Sequence, residues 1–312
     1  FCTRNQEAVM AEWTNLREEQ KLRKLVAQGL SWQQIAKKMG RGYNSVRGKG
    51  RSLGLRGKAT PATWQLVIPD EAKRVRIYHN ATNGKGDFLV IGDWQIPCTD
   101  WNLVQEALNV AEKLGLKQLI IGGDFLELSA LSPFKKYVPE KIGLADELEC
   151  GYKVMGQLVE MFDTIYFLSD NHWTRLAKAI YEARGDVPSP QQLARILTDS
   201  KKVKILDFCW MTVNNHWRLT HPMQGRNIPL SLATTLSAKY QSHLVCFHGH
   251  HFRLGLDISG RFVICDAGGV FDPKKLAYTQ LWDTSHYVTN QGFLAIKDDR
   301  LIPFWKHPNL AT

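Results

Sequence analysis

Three short apolar runs, Phe88-Leu89-Val90-Ile91, Gln118-Leu119-Ile120-Ile121 and Thr164-Ile165-Tyr166-Phe167-Leu168, each stop at a cluster of polar side chains able to chelate. The clusters are Gly92-Asp93-Trp94-Gln95, Gly122-Gly123-Asp124-Phe125-Leu126-Glu127 and Ser169-Asp170-Asn171-His172; His221 and Gly249-His250-His251 follow further along the chain. Short apolar runs bounded by glycine and polar residues read as strands buried on both faces, as in a parallel sheet. Ligands of α/β sheets collect just past the C-terminal ends of such strands. The pattern therefore predicts an α/β chain with oxygen and nitrogen donors gathered at one sheet edge. Carboxylate, amide and imidazole together suit Mn²⁺, Fe or Zn²⁺ rather than Ca²⁺, which takes oxygen ligands.

In order and spacing these motifs resemble the calcineurin-like metallophosphoesterase family, of the bacterial and phage type described as repair-exonuclease-like. Its consensus runs D-x-H, G-D-x-x-D/E, G-N-H-D/E, a lone His and G-H-x-H, and the resemblance spans roughly residues 86 to 300. It implies a four-layer αββα sandwich and two divalent ions sharing one carboxylate. Carried over, Asp93, Gln95 and Asp124 fall on the first ion, and Asp124, Asn171, His221 and His250 on the second. His172 is implied as the donor of a proton to the leaving oxygen, with Glu127 orienting its imidazole. The plainer readings are a packed core histidine and an exposed acid on the turn.

Three departures bear on the metals. Gln95 replaces the His of D-x-H, Phe252 occupies the second His of G-H-x-H when that motif is anchored on Gly249-His250, and Asp170 and Trp173 flank Asn171-His172 in place of Gly and an acid. An amide oxygen can ligate a divalent ion; a phenyl ring cannot. One tight site and a weaker first site are expected, with Mn²⁺ the first choice and Fe or Zn²⁺ the alternatives. His248 and His251 are candidate replacements, and alternation along the strand end turns His248 and His250 to one side and His251 to the other.

Charge divides the chain. Residues 1–60 hold thirteen Lys/Arg against four Asp/Glu, a balance of +9 out of the whole chain's +10. Apolar spacing predicts helices through Trp13 to Val26, over Trp32 to Met39 with Ser31 as N-cap, and over Tyr43 to Leu53. The segment resembles the trihelical helix-turn-helix of small bacterial regulators, which implies DNA binding through Arg41, Asn44, Arg47, Lys49 and Arg51, with Asn44 and Arg47 at base edges and Lys49 and Arg51 on phosphates. Gly48 and Gly50 each cost that third helix roughly 1 kcal/mol relative to Ala. A basic cap that only packs on the rest of the chain is the alternative.

The domain reading is 1–57 for this small all-α module, 58–85 for a linker and entry hairpin turning at Asn83-Gly84-Lys85-Gly86, and 86–312 for the catalytic domain. Further helices are expected over Trp101–Leu114, Leu144–Met161 and Trp173–Ala183. Strands are expected over Val203–Leu206, Trp217–Thr220, Leu244–Phe247, Phe262–Cys265 and Gly292–Ile296. No apolar stretch reaches the ~18–20 residues of a membrane helix, no secretory signal opens the sequence, and the six cysteines lack metal-type spacing, so a cytoplasmic location is expected. The functional expectation is a metal-dependent phosphodiesterase, a nuclease acting on DNA delivered by the N-terminal module. The alternative is a DNA-binding regulator or scaffold with a degenerate, one-metal phosphoesterase domain of little activity.

Overall fold

The computed structural model describes residues 16–56, 82–132, 142–185, 188–189, 192–193, 195–276 and 289–306. The chain divides into two compact units, Phe1–Arg76 and Ile77–Thr312. The expected helical start at Trp13 and most of the linker lie outside the described residues.

In the first unit, α1 (Leu16–Ala27), α2 (Trp32–Met39) and α3 (Tyr43–Ser52) surround a small core of Leu22, Leu25, Ile35, Ala36 and Val46. A capping box starts α2: Ser31 Oγ accepts from the Gln34 N–H at 3.3 Å, and Gln34 Oε1 accepts from the Ser31 N–H at 3.0 Å. Gly40, at φ 62°, ends it. Gly50 is where close approach is needed: a Cβ there would meet Trp32 Cη2 at 2.1 Å, whereas one at Gly48 would meet nothing within 4 Å.

The second unit holds two six-stranded sheets. Its elements are β1 (Asn83–Gly84), β2 (Phe88–Ile91), α4 (Trp101–Leu114), β3 (Gln118–Ile121), α5 (Leu144–Met161), β4 (Thr164–Phe167), α6 (Asn171–Arg184), β5 (Val203–Ile205), β6 (Trp210–Val213), β7 (Trp217–Thr220), α7 (Ser231–Tyr240), β8 (His243–Cys246), β9 (Phe252–Leu256), β10 (Val263–Ala267), β11 (Gly292–Lys297) and β12 (Arg300–Trp305). One sheet has the order β12-β11-β2-β3-β4-β5, with β2 to β5 parallel. The other runs β1-β6-β7-β8-β10-β9, with β7, β8 and β10 parallel.

Alternation along the strands accounts for the layers. Leu89, Ile91, Leu119, Ile121, Ile165 and Phe167 face α4 and α5 through Leu103, Val104, Ala107, Met155 and Leu158. Their neighbours Phe88, Val90, Ile120 and Tyr166 turn the other way and meet Met211, Leu219, Val245 and Cys265 of the second sheet. That sheet covers its outer face with Ala233 and Leu236 of α7. Helices thus flank two sheets packed face to face, an arrangement compatible with the expected sandwich.

The entry turn differs from expectation: Asn83-Gly84 is a short strand that pairs parallel with β6 at Asn83↔Thr212. Trp210–Val213, Phe252–Leu256 and Arg300–Trp305 are further strands; a polar residue or glycine interrupts the first two, and Pro303 sits inside the third.

Candidate metal centre

Register brings the strand ends level. Ile91 pairs with Ile121 and Ile121 with Phe167; in the other sheet Thr220 pairs with Cys246 and Cys246 with Asp266. Asp93, Asp124 and Asn171 therefore leave one sheet, and His221 and His248 the other, from matching heights. Glycines make this contact possible. A Cβ at Gly92 or Gly122 would strike the Phe247 ring at 2.3 or 2.4 Å, and one at Gly123 would strike His221 Nδ1 at 2.4 Å.

Asp124 is the hub. One group of mutually close ligand atoms comprises Asp124, His221 and His248; a second comprises Asp93, Asp124 and His250, each set within 4.8 Å. His221 Nε2 lies 3.4 Å from Asp124 Oδ1 and 3.1 Å from Asn171 Oδ1. His250 Nε2 lies 3.3 Å from Asp93 Oδ1, and Gln95 Nε2 sits 3.2 Å from Asp124 Oδ2 and 3.4 Å from His250 Nε2. Oxygen and nitrogen of an amide are exchangeable by a half-turn of the group, so Gln95 can offer either atom to the site.

His250 stands beside Asp93, and His248 is the histidine grouped with His221 and Asp124. Phe252 is no vacated ligand position: it points into the core between the sheets and stacks on Trp305 at 5.9 Å between centroids. His251 faces the Arg226 carbonyl oxygen at 3.4 Å.

The departure at Asp170 has a structural role. Its Oδ1 accepts from the Trp173 N–H at 2.8 Å, capping α6, while its Oδ2 accepts from the Asp124 N–H at 2.8 Å. The cap places Asn171 and His172 in the first turn of α6. His172 Nδ1 donates to the Leu126 carbonyl oxygen at 2.8 Å, which leaves Nε2 facing Asp124 Oδ2 at 3.6 Å. The orienting acceptor at Nδ1 is thus a backbone oxygen, not the expected Glu127 carboxylate. Glu127 itself is buried rather than exposed, and its carbonyl oxygen accepts from Arg175 at 3.0 Å.

Electrostatics fit a cation. Burial pushes Asp124 up, but His172 and His221 outweigh it and hold the carboxyl well below its ordinary value. Burial likewise opposes a charged His221, yet Asp124, Asp93 and Asp170 raise it to about 10. Burial lowers His172 to about 4, against the pull of Asp124, with Arg175 adding to the fall. Burial and the Asp124 charge raise Asp170 to about 7. The acids therefore draw in whatever positive charge is at hand. Asp124 Oδ1, Gln95 Oε1 and His248 Nδ1 are buried and make no hydrogen bond among the described residues. Buried carboxylates, imidazoles and orphaned donor atoms are the composition of a divalent metal site, and these residues fit one. The fixed Nδ1–H bonds of His221, to the Gly122 carbonyl oxygen at 2.8 Å, and of His172 turn each Nε2 inward.

Five of these residues, Asp93, Gln95, Asp124, His248 and His250, have φ between 45° and 73°. Non-glycine residues in that region are strained and persist where surroundings over-determine them, commonly at functional sites.

The expected DNA-contacting residues separate into two sets. Arg41 pairs with Glu18 at 2.8 Å and Lys49 with Glu19, so both lean back onto α1. Asn44, Arg47 and Arg51 remain on the outer face of α3, with Arg47 5.9 Å from the Tyr43 ring centroid.

No helix among the described residues is long and apolar enough to cross a membrane. No protein-family model matches the chain, and no curated protein matches it. Among solved structures, the crystal structure of Pseudomonas putida nuclease MPE matches with 16% identity, over 70% of this chain and 87% of that one, at a TM-score of 0.29.

Proposed function

We propose that this chain is a metal-dependent phosphodiesterase whose substrate is nucleic acid, DNA brought to it by the N-terminal helical module. The observation that carries the reading is Asp124, a buried carboxylate belonging at once to the group with His221 and His248 and to the group with Asp93 and His250. Asp124, Asn171, His221 and His248 would hold one ion, and Asp93, Gln95, Asp124 and His250 the other, with Mn²⁺ the first choice and Fe or Zn²⁺ the alternatives. Bound there, divalent ions supply activated water and neutralise charge on phosphate oxygens.

The chain's own residues do the rest. Leu126 anchors the Nδ1 proton of His172, so Nε2 is the atom that takes up a proton and passes it to the leaving oxygen. Asp170 holds the backbone of Asp124 and the first turn of α6 in one arrangement, which keeps His172 aimed at the shared carboxylate. Outside the centre, Asn44, Arg47 and Arg51 would face base edges and phosphates.

Against a non-hydrolysing scaffold stands His250 beside Asp93, since that rival rested on the loss of histidine at two positions and only Gln95 now represents such a loss. Metal analysis of the purified chain, with Mn²⁺-dependent hydrolysis of bis(p-nitrophenyl) phosphate and of single- and double-stranded DNA, tests the reading. Protein that binds no divalent ion and hydrolyses none of these substrates refutes it.

A further inference from the structure

The segment between His221 and Leu230 is tied down at several points and exposed between them. His221 is fully buried in the metal centre. A methyl group at Gly225 would meet His248 Cδ2 at 3.1 Å, so the loop backbone lies on that imidazole. The Arg226 carbonyl oxygen faces His251 Nε2 at 3.4 Å, and the Leu230 N–H donates to Asp266 Oδ2 at 2.6 Å. From these anchors residues 223–228 stand out into solvent, Met223 52% and Ile228 72% exposed, with Gln224, Arg226 and Asn227 between them.

Single exposed apolar side chains are ordinary on a protein surface. Two of them on one short loop, flanking a cation and two amides and resting on a candidate metal ligand, form a chemically specific combination. A thioether and a branched alkyl group pack against base faces, amides meet base edges, and a guanidinium meets phosphate. A folded duplex hides its base faces; an unpaired strand presents them.

We propose that the Met223–Ile228 loop seats a single-stranded polynucleotide at the metal centre, with Met223 and Ile228 against unstacked bases and Arg226 on the backbone. The inference rests on the phosphodiesterase reading and narrows its substrate to an unpaired strand entering over His248. It does not involve the N-terminal module.

The test compares the full chain with its Met223→Ser/Ile228→Ser double variant and with Arg226→Ala, all in Mn²⁺, on bis(p-nitrophenyl) phosphate and on a single-stranded oligonucleotide made as DNA and as RNA. Both variants should raise KM for the oligonucleotide roughly tenfold, the order expected for losing an apolar contact or a charge-assisted hydrogen bond, while kcat/KM for the small diester and metal content stay within twofold. The same oligonucleotide carrying a photoreactive thymine analogue should crosslink to the peptide containing residues 223–228; whichever sugar crosslinks identifies the strand. Equal loss on both substrates, no loss on either, or crosslinks confined to other peptides would overturn the proposal. Wild-type protein that crosslinks through the loop yet hydrolyses neither substrate would instead refute the phosphodiesterase reading and leave the strand seat in place.

Discussion

His250 Nε2 stands 3.3 Å from Asp93 Oδ1, across the seam between the two sheets. That contact gives each of the two ligand groups an imidazole from the segment after β8, His248 in one and His250 in the other.

Metal content should follow these groups. His250→Ala is expected to weaken one ion by more than roughly tenfold, the lower end of what losing even an outer partner of a metal ligand costs, and to spare the other. His248→Ala should do the reverse, and Asp124→Asn should weaken both. Gln95→Ala should affect only the ion lost in His250→Ala. Titration with Mn²⁺ followed by mass-spectrometric metal analysis reads all four; a His250→Ala protein that loses both ions would show that the groups are not separable.

Proton delivery is tested at His172. Its replacement by Ala should lower turnover of a phosphodiester by ~10²–10⁴-fold with metal content unchanged. Since its Nδ1 proton is bound by a backbone carbonyl, Glu127→Gln should cost far less. A larger loss in Glu127→Gln than in His172→Ala would return the orienting role to the carboxylate.

Asp266 makes a pH-dependent contribution away from the metals. Burial raises its carboxyl to about 6, opposed by the Leu230 N–H, whereas an unfolded Asp titrates near ~3.9. The folded state therefore holds the proton more tightly, and the stability this provides is complete below about pH 4 and lost as pH rises through about 6. Asp266→Asn keeps an acceptor for Leu230 without the charge. It should be more stable than the parent at pH 7.5 by up to about 3 kcal/mol, and the gap should close by pH 4. Urea unfolding at the two pH values measures it; a gap independent of pH would assign the effect to packing.

The two glycines of α3 should respond oppositely to Ala. Gly48→Ala gains roughly 1 kcal/mol of helix propensity in open space. Gly50→Ala drives a methyl into the Trp32 ring and should destabilise the three-helix unit despite the same propensity gain. Thermal unfolding of both variants, followed by far-ultraviolet circular dichroism, distinguishes them.

If α3 meets DNA, its free outer face should dominate. Arg47→Ala and Arg51→Ala should each lower affinity and reduce the salt slope by about one unit where a phosphate contact is lost. Arg41→Ala should chiefly remove a half-buried ion pair with Glu18, costing about 1 kcal/mol of stability. Anisotropy titrations of labelled duplex across salt concentrations check this, and a dominant loss at Arg41 would contradict it.

The strands bearing Asp93, Asp124 and Asn171 were legible because burial on both faces demands unbroken apolar residues, as in Phe88–Ile91. Ser31 announced the start of α2 as its N-cap through local chemistry alone. The roles of His248 and His250 were harder to read, because anchoring the motif on Gly249 starts it at His250, whereas counting from the end of β8 at Cys246 brings His248 first and His250 two residues later. Strand β9 escaped notice because Arg253, Leu254 and Leu256 are exposed and Gly255 interrupts the run. Helix α7, Ser231–Tyr240, is rich in Ser and Thr and offers little apolar periodicity. The recruitment of Arg41 and Lys49 by Glu18 and Glu19 depends on how α1 crosses its neighbours, which no local pattern encodes.

Asp93 and Asp124 hang from one sheet, while His221, His248 and His250 hang from the other. Neither group is complete until residue 248 or 250 has been synthesised and both sheets have come together. A nascent or half-folded chain thus lacks the whole ligand set, and the proposed cutting chemistry is confined to finished molecules. Once assembled, the same arrangement would let an ion rivet the seam: because only the native state offers the full set, stability would rise with the logarithm of free metal concentration above the dissociation constant. Chelation would then loosen the seam between the sheets as well as strip the centre.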